Sequence, residues 1–454
     1  MGIFSALTTA VTGMTAQSYA LERISDNIAN SQTVGYKRSD TSFVDFVPDS
    51  PADQQALGVV NAFSRPTNNI QGDVANSQVE THMAINGDGY FIVSQQTDTV
   101  DGLPVLGSEN LYTRRGDFEF DQNGFLVNAA GYFLNGLPID PVSGNPSGSS
   151  PTVIRVSNDF LPAQATTEID YRANLASYPL TASANPAIPG SELINPASYS
   201  VDPTVGGAGV VQANESSTFI DQTISGGAVT AFDPVGATIN VQFRWGKTTT
   251  GATDTWNLFY LTDSNATGAA TAWQNAGVDY VFGANGQLAP PIVSTTLTSL
   301  TVNGVNLGNV TMEHGTNGIT QFADPNGVAK VTDINQDGFA AGELVGISVS
   351  DAGRVVASYT NGRTIGLAEV TLASFNGDSG LAKSDGGAFR ETPESGSPIL
   401  GGTGTVVGSA LEGSNTDIAD EFTKLIVTQQ AYAANTRIIS TADEMITEAL
   451  NMVR

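Results

Sequence analysis

Two histidines, His82 and His314, and no cysteine are what this chain offers toward zinc chemistry. Structural zinc centres combine four Cys or His ligands, so that class is excluded, as are disulfides and thiol catalysis. A Ser-His-Asp triad is formally available, but neither histidine lies near a G-x-S-x-G nucleophile turn. Among the 45 acidic residues, spacing singles out no carboxylate pair for glycoside hydrolysis. The most pointed pattern is Asp333-Ile-Asn335-Gln-Asp337-Gly338, which matches the first half of an EF-hand loop. The bidentate Glu belongs at loop position 12, where this chain has Leu344, with Glu343 one place early. A tight turn that uses Asp and Gly for their backbone geometry is the expected reading. Arg114-Arg115 is a lone basic pair, expected as a surface salt-bridge donor. No catalytic residue, cofactor-binding residue or metal ligand is assigned, and neither enzyme activity nor a cofactor is expected.

Composition narrows the partners. A net charge of −27 is wrong for nucleic acid, whose phosphates need a basic surface, and for an anionic membrane face. Between Ala173 and Ala329 the only cations are Arg244 and Lys247, against about ten carboxylates. No apolar run approaches the roughly 18 residues that would insert into a bilayer. The first cation is Arg23, so no basic signal-peptide n-region is visible, and Ala6 breaks the myristoylation pattern. Any export is expected by another route. At 454 residues the chain exceeds one core, and two to four domains are expected.

The elements that carry a function of another kind lie at the two ends. From Leu7, apolar or small residues recur at steps of four and three: Leu7, Val11, Met14, Ser18, Leu21, Ser25, Ile28. The C-terminus repeats the rule: Ile418, Phe422, Leu425, Gln429, Tyr432, Thr436, Ile439, Asp443, Ile446, Leu450, Val453. A 3.5-residue period marks helices wound around partners. The first helix is expected over Phe4 to Ala29, roughly 40 Å long. The second is expected from an N-cap at Asn415 or Thr416 to the last residue, with Asp417, Asp420 and Glu421 favoured near its positive end. Packed side by side they would be antiparallel. A helical hairpin closing a monomer is the plainer reading. The polar stripe positions Gln429, Thr436 and Asp443 favour packing between molecules, because they select register and partner.

The body between reads as strands and turns. Met83 to Val93 is expected as two strands about Asn86-Gly87, and Leu111 to Ile139 as strands punctuated by Asn123-Gly124 and Asn135-Gly136. Thr238 to Trp245 alternates, with Trp256 to Leu261 as its partner, and Gln321 to Thr371 forms hairpins ending at Asn361-Gly362. The expected fold is multidomain and mainly β, with nested β-barrel or sandwich-like domains on a stem of N- and C-terminal coiled-coil α-helices. In residue terms, 1–30 and 415–454 are the helical stem, and 31–70 and 372–414 an extended connector. Residues 71–150 and 322–371 form an inner β domain, and 151–321 an outer inserted β domain.

Ile24-Ser-Asp-Asn27-Ile-Ala-Asn30-Ser-Gln-Thr-Val-Gly35-Tyr-Lys37 resembles the N-terminal signature of bacterial flagellar rod and hook axial proteins. Gln429-Gln-Ala-Tyr432-Ala-Ala-Asn435-Thr-Arg437 is similar to the matching C-terminal signature. Tyr112-Thr-Arg-Arg-Gly116-Asp-Phe118, Asn128-Ala-Ala-Gly131-Tyr132 and Gly396-Ser-Pro-Ile-Leu400-Gly resemble the family's body. The large insertion from Pro151 to about Gln321 is similar to hook members rather than distal rod members. The resemblance implies a homo-polymer, a hollow curved tube working as a universal joint. It implies export through the flagellar type III apparatus to the extracellular hook and basal body. Its implied partners are the rod, the hook cap and the hook-filament junction proteins, with no nucleic acid and no membrane insertion. Leu7, Val11, Met14, Leu21, Ile28, Ile418, Phe422, Leu425, Tyr432, Ile439, Ile446 and Leu450 are the expected assembly interface. Asn27, Asn30, Gly35, Asn435 and Arg437 carry the family motifs. A distal rod protein and, in a different class, a secreted β-rich adhesin are the alternatives.

Overall fold

The structure is a computed structural model describing residues 3–46, 59–140, 143–157, 159–206 and 208–452. The chain forms two compact units, residues 1–158 with 344–454 and residues 159–343. Among the described residues, helices α1 (Ile3–Ala29), α2 (Ser216–Asp221) and α3 (Ile418–Met452) accompany a mainly β chain, which is the expected fold class.

The discontinuous unit is built on one large sheet. Its order runs Leu344–Val349, Arg354–Tyr359, Thr364–Glu369, Tyr132–Pro138, Tyr90–Val100, Leu103–Thr113, Ala388–Arg390, Ala382–Lys383. The central run Tyr90-Phe-Ile-Val93 is apolar at every position because both faces are covered. Phe91 and Val93 enter the core with Phe118, Leu126 and Leu134, and Tyr90 and Ile92 pack with Tyr112, Phe375 and Phe389 on the other side. The Asn361-Gly362 turn forms, with Gly362 in the left-handed region. Asn86-Gly87 is not a hairpin: Met83–Asn86 pairs antiparallel with Thr405–Gly408, more than 300 residues on. Asn135-Gly136 is not a turn either. It lies within Tyr132–Pro138, where buried Asn135 donates to Ser94 Oγ at 3.0 Å. An Asn-Gly pair supplies a permissive backbone; whether it turns is decided by which strand comes alongside.

Among the described residues, both stretches expected as connector carry paired strands. Ser39–Phe46 and Val59–Pro66 form an antiparallel hairpin, and Ala410–Glu412 pairs with Val74–Asn76. Short strands with few large apolar residues resemble loops in sequence, since backbone pairing leaves no periodic signal.

The inserted unit is two five-stranded sheets. One is ordered Val210–Gln212, Thr271–Phe282, Asp254–Leu261, Thr238–Thr249, Ile224–Phe232. In it Ile239, Val241, Phe243 and Trp245 point inward, as their alternation requires. The other holds Ser294–Val302, Val305–Glu313, Glu168–Asn174 and Ile319–Thr320, with Lys330–Gln336 also on Glu168–Asn174. Tyr171, Trp245, Tyr280 and Met312 fill the shared core. The pairing of Lys330–Gln336 with Glu168–Asn174 carries this unit to residue 343, beyond the 321 expected for the insertion.

Candidate assembly interface

Helix α1 lies antiparallel on α3. Asn27 meets Glu421, Gly13 meets Asn435 and Met14 approaches Thr436, so numbers rise on one helix as they fall on the other. The buried residues of α1 are Ala10, Ala16, Ala20, Ile24 and Asn27, with Gly13 between them, and both α3 and the hairpin of Ser39–Phe46 with Val59–Pro66 pack on this helix. A Cβ on Gly13 would lie 3.1 Å from Asn435 Nδ2, so the crossing is close because the residues are small. On α3 the buried residues are Glu421, Thr428 and Ala442.

This contact face differs from the expected stripe. Leu7, Met14, Leu21 and Ile28 are only half-buried, and Val11, Ser18 and Ser25 are exposed. Val11, Leu21, Ser25 and Ile28 each follow a buried residue by one position, about 100° of helix turn, whereas Met14 still reaches Thr436 of α3. On α3, Leu425, Ile439 and Ile446 are half-buried, flanking the contact. Ile418, Phe422, Tyr432 and Leu450 are exposed, as are the polar positions Gln429, Thr436 and Asp443; Val453 lies outside the described residues. Apolar spacing identified helices that pack, but close approach selected the small residues, leaving the large ones outward. Ile426, Val427, Ile438, Met445 and Met452, which the stripe did not include, extend this exposed apolar surface.

The base of the stem is a polar junction. Asp417, rather than Asn415 or Thr416, caps α3, accepting from Ala419 N at 2.8 Å and Asp420 N at 3.3 Å. Asn415 instead accepts from Arg38 N at 2.8 Å and donates to the carbonyls of Thr67 and Ile70. Asn27 uses both ends of its amide. It donates to Glu421 Oε2 at 3.0 Å and Ser39 O at 3.1 Å, and accepts from Ser39 N and Tyr36 Oη. Glu421 also receives Lys424 Nζ at 2.7 Å. Burial works against the Lys424 ammonium, but its bonds to Glu421 and Asp40 prevail and raise it above the ordinary lysine value. Asn30 closes α1 by donating to Asp26 O and accepting from Thr33 Oγ1. Gly35 has φ +65°, and a Cβ there would lie 2.7 Å from Arg114 C and Arg115 N. Arg437 is exposed on α3.

Arg114-Arg115 is not the surface pair expected. Arg114 is buried, reaching Glu412 Oε2 at 3.3 Å and donating to Gly87 O at 2.8 Å, while Arg115 is clamped on Asp117. The EF-hand-like stretch is strand and turn. Asp337 accepts from Thr167 N at 2.8 Å, Thr167 Oγ1 and Glu168 N at 3.0 Å. Burial opposes its ionisation, but these donors outweigh it and hold the carboxyl below the usual aspartate value. Ser77 Oγ and His82 Nδ1 are 2.8 Å apart, and Glu119 is 3.8 Å from the other ring nitrogen. Ser77 Oγ also accepts from Val79 N, so the pair serves a local turn. His314 is buried between Tyr280 Oη at 3.0 Å and Tyr171 O at 3.0 Å. Among the described residues no three metal-capable side chains cluster, and no helix is long and apolar enough to cross a membrane.

Both ends and both units match flagellar families. Residues 7–37 match the flagella basal body rod protein family and 407–452 the flagellar basal body rod FlgEFG protein C-terminal family. Residues 84–170 match the flagellar hook protein FlgE/F/G D1 domain, and 201–339 the flagellar basal body protein FlaE D2 domain. Over 462 residues, spanning all of both chains, this protein is 30% identical to the flagellar hook protein FlgE of Brucella suis. The chain belongs to the flagellar hook protein family. The Escherichia coli hook protein FlgE is 28% identical over 98% of this chain and all of its own length. A solved structure of Helicobacter pylori hook protein FlgE2 overlays with a TM-score of 0.48 at 16% identity, covering 74% of this chain and all of that one. Membership makes this chain a structural subunit of the bacterial flagellar hook, polymerising within the hook and basal body.

Proposed function

We propose that the chain polymerises through the outward faces of α1 and α3 into a hollow, curved helical tube that transmits motor torque to the filament as a universal joint. The observation carrying this reading is the outward apolar surface of α3, from Ile418 and Phe422 to Leu450 and Met452, beside an intramolecular seam made of small residues. Such a stripe is stable in water only when a partner covers it, and a contact that repeats without closing yields a helical filament. Leu7, Val11, Met14, Leu21 and Ile28 supply the complementary stripe on α1, and Leu425, Ile439 and Ile446 bridge the two contacts. The β bodies form outer layers whose polar faces slide as the tube bends, at little cost compared with parting the apolar stem. The subunit leaves through the flagellar type III apparatus and meets the rod below, the cap above and the junction proteins at the filament. It performs no enzymatic step. Electron microscopy of the purified, assembled protein tests the reading. Hollow curved tubes are expected; a closed ring or a monomer persisting at high concentration overturns it.

A further inference from the structure

Besides its own hairpin, the N-terminal connector is tied to the C-terminal return segment by a set of backbone and side-chain hydrogen bonds. Gly35 N donates to Glu412 O at 2.8 Å, Gly72 N to Glu412 Oε1 at 2.9 Å and Arg38 N to Asn415 Oδ1 at 2.8 Å. In return, Gly413 N donates to Asp73 O at 2.8 Å and Asn415 N to Tyr36 O at 3.3 Å. At the centre stand two cations and one anion. The side chains of Lys37 and Glu412 are 0% exposed and that of Arg114 is 4% exposed. Lys37 Nζ meets Glu412 Oε1 and Ile70 O at 2.6 Å, and Arg114 meets Glu412 Oε2. Burial pushes the Lys37 ammonium below the ordinary lysine value, Glu412 pulls it back up, and Arg114 adds to the downward push.

We propose that Glu412 is an interlock: its carboxylate allows Lys37 and Arg114 to be buried together, so the N-terminal connector closes only when the C-terminal return strand is in place. Without it, two like charges face each other out of water, Lys37 on the Ile70 carbonyl and Arg114 on the Gly87 carbonyl and the Tyr90 ring. Glu412 sits on the strand Ala410–Glu412, which pairs with Val74–Asn76, five residues before the Asp417 cap of α3. Seating that strand therefore ties the segment that follows α1 to the segment that leads into α3. The stem becomes available for assembly only in a chain whose two ends have met. A chain still lacking its C-terminal segment keeps its N-terminal connector open. The interlock belongs to the discontinuous unit alone and does not depend on what the stem later binds.

Hydrogen exchange on the full-length protein tests it, with the inserted unit, residues 159–343, as internal control of folding. In the native protein the amides of Gly35, Arg38, Gly72 and Gly413 should open together. Glu412→Gln should lower protection at all four by roughly a hundredfold or more, the size expected when one member of a buried ion pair is removed. Lys37→Met in the Glu412→Gln background removes the excess cation and should restore most of the protection, including from a Glu412→Gln protein whose discontinuous unit has unfolded. Loss confined to Gly413 in Glu412→Gln overturns the proposal. So does a double variant no better protected than Glu412→Gln, because Glu412 would then act as a hydrogen-bonding member of local packing.

Discussion

Placing a charge on the outward face of α3 tests whether that face is the subunit contact. Phe422 is 49% exposed on the stem, so about half of an aromatic side chain of roughly 200 Å² remains for a neighbour to cover. At about 25 cal/mol per Å², covering roughly 100 Å² is worth about 2.5 kcal/mol per subunit. Phe422→Ala should therefore raise the critical concentration for polymerisation roughly 70-fold, since about 1.4 kcal/mol is a factor of ten. Phe422→Asp forfeits the same area and adds several kcal/mol for burying an unpaired carboxylate, so sedimentation and electron microscopy should find no polymer. The covered half of the ring is worth up to a comparable amount, about 2.5 kcal/mol, in the folded monomer, so melting should fall as well and assembly is assayed well below the variant's melting temperature. Leu425→Asp and Ile439→Asp should also block assembly, again with a loss of monomer stability, because both flank the α1 contact. Wild-type polymerisation by folded Phe422→Asp would show that the outward stripe of α3 is not the subunit contact.

Three further outcomes are expected. Burial keeps His314 below the ordinary histidine value, against its bond to the Tyr171 carbonyl, so the folded inserted unit prefers the neutral ring. That contribution is complete above the unfolded histidine value of about 6.5 and is lost as pH falls toward the folded value, at no more than about 1.4 kcal/mol per pH unit. Thermal melts from pH 7 to 5 should show it, and His314→Gln should flatten the slope relative to wild type; an unchanged slope refutes the assignment. Asp337→Ala should destabilise the inserted unit by about 2 kcal/mol through its lost hydrogen bonds, equally with chelator or excess calcium. A calcium-dependent stabilisation that disappears in the variant would instead make the turn a metal site. Leu161 and Gly342 exchange backbone hydrogen bonds at 2.9 and 3.1 Å, so residues 162–341 can be replaced by a short glycine-serine turn. That protein should still form tubes, with altered bending by electron microscopy; failure of a folded deletion to polymerise would make the insertion a primary assembly domain.

The motifs at Asn27, Gly35 and Asn435 were legible through their likeness to the terminal signatures of flagellar axial proteins, and in the fold each makes a contact that few residue types could make. Asn27 supplies both a donor and an acceptor at a helix end, Gly35 takes a left-handed backbone against Arg114, and Asn435 lies against Gly13. The buried ion cluster was not legible. Lys37, Arg114 and Glu412 are ordinary charged residues in sequence, and 375 positions separate Lys37 from Glu412. Nothing local distinguishes a charge that will be buried from one left in water, so Arg114 was expected on the surface.

The two terminal helices could be read directly from the sequence, because apolar spacing is a property of the helix alone, and so could the alternating strand Thr238 to Trp245, which the fold extends to Thr249. Turns form at Asn123-Gly124 and Asn361-Gly362, each with a left-handed glycine, while strand pairing overrides the same signal at Asn86-Gly87 and Asn135-Gly136. Tertiary structure decided which face of each helix is covered within the chain. A period fixes a stripe's spacing, but close packing between two particular helices favours small side chains over large ones. It also decided the long-range pairings: Met83–Asn86 with Thr405–Gly408, and Val74–Asn76 with Ala410–Glu412. Those contacts are backbone hydrogen bonds between distant segments, and backbone groups are the same in every residue but proline, so no side-chain pattern announces them.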